Sequence, residues 1–97
     1  MRNLLQKHNH IIDQIHLATI GLAMMGDNLH LITSVEDKNH IIKYNTVLFT
    51  SYGTISKGKH LPVRLFNKVV FFDNETFDQV ISDSYKLRMY LKEIGYE

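Results

Sequence analysis

The sequence predicts an α+β fold: an N-terminal helix, a three- or four-stranded antiparallel meander sheet and a C-terminal helix. Three observations carry this. Apolar residues recur at helical spacing near both ends of the chain, and the middle is rich in alternating β-branched and aromatic residues. With 97 residues and no linker or low-complexity stretch, the chain reads as a single domain, 1–97.

For the first helix, Leu4, His8, Ile11, Ile15, Ala18, Leu22 and Met25 form one stripe, and Gly26 supplies the stop. Its second half, from Leu17, is apolar on the opposite side as well, through Leu17, Ile20 and Met24. Strand periodicity follows in Leu29–Val35, then a polar turn at Glu36–Asn39 and a long β-rich run over His40–Ser51, bent at Gly53. Lys57-Gly58 reads as a tight hairpin turn, and Leu61, Val63 and Leu65 alternate after it. Pro62 has no amide hydrogen, so its strand belongs at an edge. Lys68–Phe72 extends this strand or forms a fourth one. The last helix takes Asp73 as its cap and a Phe72–Phe77 staple, and buries Phe77, Val80, Ser84, Leu87, Leu91 and Ile94. Gly95 ends it, with Tyr96 folding back on Leu91.

Composition narrows the function. The chain has no cysteine, so disulfides, thiolate metal sites and a cysteine nucleophile are excluded, and a reducing, cytoplasmic setting is the simpler expectation. Leu17–Met25 is too short for a membrane span, which needs roughly 20 residues. No membrane association is expected.

Chemical motifs are incomplete. Gly53–His60 has the G-x-x-x-x-G-K spacing of a phosphate-binding loop, but His60 stands where Ser or Thr should hold magnesium, and Pro62 follows where a helix should begin. His10, Asp13 and His16 step by three along the polar side of the first helix, a spacing compatible with a metal but equally with a solvated face. Neither a metal nor a cofactor is expected, and the scattered serines and carboxylates compose no catalytic set. The expectation is a protein that is not an enzyme.

Charge is uneven. Residues 38–72 carry Lys38, Lys43, Lys57, Lys59, Arg64 and Lys68 with no acid, whereas acids outnumber bases on both sides. Lys57, Lys59, His60, Arg64 and Lys68, with Tyr52 and Phe66 as stacking rings, would suit a nucleic acid or an acidic protein surface. The apolar residues Leu17, Ile20 and Met24 supply a second candidate contact, for a partner or for self-association as a homodimer. Together these features point to a small interaction protein that binds and modulates or inhibits a larger macromolecular complex, a profile shared by small modulators, including those of mobile elements. A nucleic-acid-binding module using residues 57–68 is the alternative.

Overall fold

The structure, a computed structural model, describes residues 15, 17–50, 53–56 and 60–97. Six strands form one antiparallel sheet: β1 (Gly21–Met25), β2 (Asn28–Lys38), β3 (Ile41–Thr50), β4 (Gly53–Ser56), β5 (His60–Pro62) and β6 (Lys68–Phe71). Two helices follow, α1 (Phe77–Ser82) and α2 (Ser84–Glu93). The order across the sheet is β4-β3-β2-β1-β6, and β5 pairs with β3 beyond the end of β4. The α+β class therefore stands, with more strands than the sequence suggested.

The helical stripe predicted through Met25 does not extend that far. Most of it lies outside the described residues; Ile15, Leu17 and Ala18 are helical, and by Gly21 the chain is a strand. An unbroken apolar run fits a strand covered on both faces as well as a helix apolar all round. Burial decides here: Leu22, Ala23 and Met24 are all buried, with Leu22 and Met24 on one face and Ala23 on the other. Gly21 is the contact point with β6, because a Cβ there would stand 2.5 Å from the Val70 carbonyl oxygen. Gly26 is not a helix stop. With φ of +60° it opens the two-residue reversal between Met25 and Asn28, as the first residue of a II′ hairpin does.

The next reversal falls at Asn39-His40, both left-handed (φ 54° and 64°), rather than within Glu36–Asn39. This is the I′ geometry, whose twist matches the flanking strands. Lys57 and Gly58, the expected hairpin turn, lie outside the described residues. β4 and β5 both run antiparallel to β3, with Thr50 opposite Gly53 and Asn45 opposite His60. Pro62 does lie on the outermost strand.

The predicted C-terminal helix is two helices. Asp83 adopts extended backbone (φ −104°, ψ 101°), and its carboxylate accepts the amides of Tyr85 at 3.0 Å and Lys86 at 3.4 Å, so it caps α2. Thr76 rather than Asp73 caps α1, through a reciprocal box with Gln79. Ser84, placed by the sequence in the buried stripe, is exposed, while Ile81 and Tyr90 join it. The final turn closes as expected at Gly95 (φ 85°): its amide donates to the Lys92 carbonyl oxygen and that of Tyr96 to Leu91.

The two faces of the sheet are closed differently. Leu22, Met24, Leu29 and Leu31 pack against Phe77, Val80, Leu87, Leu91 and their neighbours on α1 and α2. Ala23, Ile32 and Tyr44, on the other face, are covered by Val63, Phe66 and Val69. Val63–Leu65 is a 3-10 turn between β5, at one edge, and β6, at the other. Across a flat sheet those edges would be ~19 Å apart at ~4.8 Å per strand, and a 3-10 turn advances only ~2 Å per residue. The sheet therefore curls over this face. Consistent with that curl, the rings of Tyr44 on β3 and Phe71 on β6 are 5.8 Å apart although β2 and β1 lie between their strands.

Candidate partner-binding surface

The β2–β3 hairpin outgrows the rest of the sheet. β1 pairs with β2 only as far as Ile32, whereas β2 and β3 stay paired to Lys38 and Ile41. A bulge between Ile32 and Ser34 marks the change. There the Thr33 hydroxyl donates to the Asn45 carbonyl oxygen at 3.1 Å, and the Asn45 amide donates to the Ser34 hydroxyl at 2.7 Å. Beyond the bulge no β1 strand covers β2, and Val35, Ile41 and Ile42 are left roughly half exposed.

Beside the hairpin tip lies an open groove of about 580 Å³ lined by His40, Ile41, Ile42, Lys43, Pro62, Val63 and Arg64. Two pieces of chain distant in sequence meet there because β5 pairs with β3 at Lys43–Asn45, which brings Pro62 opposite Lys43. The chain then enters the 3-10 turn, and Arg64 stands exposed on it. Four apolar side chains are thus bordered by a histidine, a lysine and an arginine, with no carboxylate in the lining among the described residues. A smaller recess of about 270 Å³ adjoins it, lined by Glu36, Lys38, Asn39, Ile41 and Lys43.

Outside the groove lining, a polar-aromatic cluster gathers around Phe66. His30 is buried; its Nδ1 lies 2.8 Å from the Thr46 hydroxyl, and its ring stands edge-on to Phe66 at 5.5 Å. Burial holds the imidazole below its ordinary pKa of 6.5, because the charged form would lose hydration with no acid to replace it. Tyr44 packs on the other side of Phe66, also at 5.5 Å. Behind the helices, Lys86 is ion-paired with Glu75, and that hydrogen bond raises the lysine pKa.

The residues singled out from sequence separate. Leu17 is 75% exposed and Ile20 40%, but Met24 is 6% exposed within the core, so these three form no common face. The periodicity that joined them was helical, whereas Met24 is on a strand. Tyr52, Lys57 and Lys59 lie outside the described residues, and His60 opens β5 opposite Asn45. Lys68 pairs with Met24 on β6 and is not in the groove lining that holds Arg64. Phe66 is packed between His30 and Tyr44, not free as a stacking ring. Among the described ones only Arg64 lines the groove, where His40, Lys43, Ile41 and Ile42 join it. The sequence did hold a signal for them: in an alternating strand one of two adjacent isoleucines must face outward, and Ile41-Ile42 lies within the acid-free run.

His8, His10, Asp13 and His16 lie outside the described residues. Among the described residues no group of three His, Asp or Glu side chains could hold a metal ion. No helix among them is long and apolar enough to cross a membrane. Comparison with known protein families, with curated proteins and with solved structures finds no match.

Proposed function

We propose that this protein is a small, non-enzymatic docking module. It binds an acidic, aliphatic-bearing segment of a larger protein in the groove between the β2–β3 hairpin tip and Pro62–Arg64. By occupying that segment it modulates or inhibits the partner, in a reducing, cytoplasmic setting. The observation that carries the reading is the groove lining: Ile41, Ile42, Pro62 and Val63 offer apolar contact, while His40, Lys43 and Arg64 offer cations and hydrogen-bond donors. Aliphatic side chains of a partner would gain from burial there, and its carboxylates would steer approach and fix register.

The same cations favour a second reading, a nucleic-acid-binding module, since phosphate is also drawn to an acid-free basic run. Against it, Phe66 is engaged with His30 and Tyr44, which leaves the lining aliphatic where base stacking wants an exposed ring.

Fluorescence anisotropy separates the two. Three labelled probes are titrated against the full chain: a peptide alternating glutamate and isoleucine, its lysine counterpart, and a single-stranded oligonucleotide. The docking reading expects saturable binding of the acidic peptide alone, abolished by Arg64→Glu with Lys43→Glu. Binding of the oligonucleotide alone, falling steeply with salt, would replace it with the second reading.

A further inference from the structure

The two edges of the sheet are not equally protected. On one side the outermost position is taken by β4 and β5, and β5 contains Pro62. Proline is a standard way of keeping an edge from pairing with another chain. The other edge, β6, is Lys-Val-Val-Phe, with one lysine and no proline. Among the described residues no strand lies beyond it.

Its outward pattern can be read from the ladder. The Phe72 amide donates to the Ile20 carbonyl oxygen at 2.9 Å. Since the sense alternates along an antiparallel pair, Val70 and Lys68 also turn their backbone groups towards β1, and Val69 and Phe71 turn theirs outward. Phe71 is 43% exposed.

We infer that β6 is a self-pairing edge: two copies of the chain join β6 to β6 antiparallel, about a two-fold axis at Val70. In that register Val69 of each copy faces Phe71 of the other, and both have outward backbone groups, so a reciprocal pair of hydrogen bonds forms on each side of the axis. The side-chain pairs are aromatic against β-branched, a favourable cross-strand combination, and each half-exposed Phe71 is covered. The ends are complementary in charge. Lys68 of one copy comes beside the point where the other copy leaves β6, at Phe72-Asp73, and both Lys68 and Asp73 are exposed. The register is thus set by main chain, shape and charge together, and the occupant of the edge is a second copy of this chain.

Sedimentation velocity with the full chain tests this. The wild type is expected to move, with rising concentration, from the 11.3 kDa chain to twice that mass. Phe71→Lys should remain monomeric with an unchanged circular dichroism spectrum and melting transition. Because a core defect could mimic that result, the charge pair supplies a control: Lys68→Asp alone and Asp73→Lys alone each weaken association at least tenfold, and the double variant restores it. A wild type that stays monomeric up to millimolar concentration would overturn the inference. So would a dimer unaffected by Phe71→Lys, or slow amide exchange at Val69 and Phe71 in the monomer, since the edge would then be covered within one chain.

Discussion

The helix-covered face and the strap-covered face of the sheet do different work. On the first, α1 and α2 bring Phe77, Val80, Ile81, Leu87, Tyr90, Leu91 and Ile94 down on β1 and β2, and every one of them is buried. On the second, a short connection supplies, among the described residues, Val63 and Phe66, both half-buried, with Val69 from β6 beside them. A two-helix cover removes much apolar area from water and supplies most of the stability of a small domain. A strap cannot, so the second face keeps partly exposed Val35, Ile42 and Phe71 at its margin. The first face holds most of the buried core, and the proposed docking groove opens on the side of the second. Stability and binding should therefore respond to different substitutions.

The largest stability effect is expected on the helix side. Phe77→Ala empties a fully buried site that touches the Phe72 ring, and should cost about 3–5 kcal/mol by chemical denaturation. A loss under ~1 kcal/mol would break the comparison, because a buried phenylalanine at the centre of a core has to cost more than that. Next, Gly21→Ala forces a methyl group against the Val70 carbonyl oxygen, and should cost about 1–3 kcal/mol while loosening β6, read as faster amide exchange at Val70. Phe66→Ala removes a ring that is only half-buried, so about 1–2 kcal/mol is expected. It should also weaken binding at the groove, because Phe66 anchors the strap that carries Val63 and Arg64.

Acid sharpens the contrast between the faces. His30 has a lowered pKa when folded, so below 6.5 the unfolded chain takes up protons that the folded chain resists. Stability is then full above that value and falls as the pH drops below it. His30→Gln keeps a polar contact for Thr46 without a titrating ring, and should flatten the fall between pH 7 and 5 in thermal melts at stepped pH. The smallest effect on stability belongs to Arg64→Glu, within about 0.5 kcal/mol for an exposed turn residue. Its effect on acidic-peptide binding should be far larger, at least a tenfold weakening, with the loss completed when Lys43→Glu is added.

Much of the helix-covered face was legible in the sequence. The spacing Phe77, Val80, Leu87, Leu91, Ile94 identified its buried stripe, and Gly95-Tyr96 its closure, because a helical stripe and a left-handed stop are local signals. The break at Asp83 was not, since an acid inside an apolar pattern reads equally as a surface position or a cap. Gly21–Met25 was misread for a related reason: five apolar residues buried on both faces have no period, and the preceding helical register carried straight on through Leu22 and Met25. The strap-covered face was the less legible. Its groove joins His40–Lys43 to Pro62–Arg64 through the β3–β5 pairing, a non-local contact that no window of sequence contains. The acid-free run named the right third of the chain but could not say that Phe66 would turn inward and Lys68 would fall outside the groove lining.

Chemical-shift mapping on the isotope-labelled full chain tests the division most directly. As the glutamate–isoleucine peptide is added, shifts are expected to concentrate on His40–Lys43 and Pro62–Arg64, with the amides of α1 and α2 unmoved. Shifts centred on exposed Tyr85 and Met89 of α2, or none at any concentration, would contradict the claim that the strap-covered end is where this protein meets its partner.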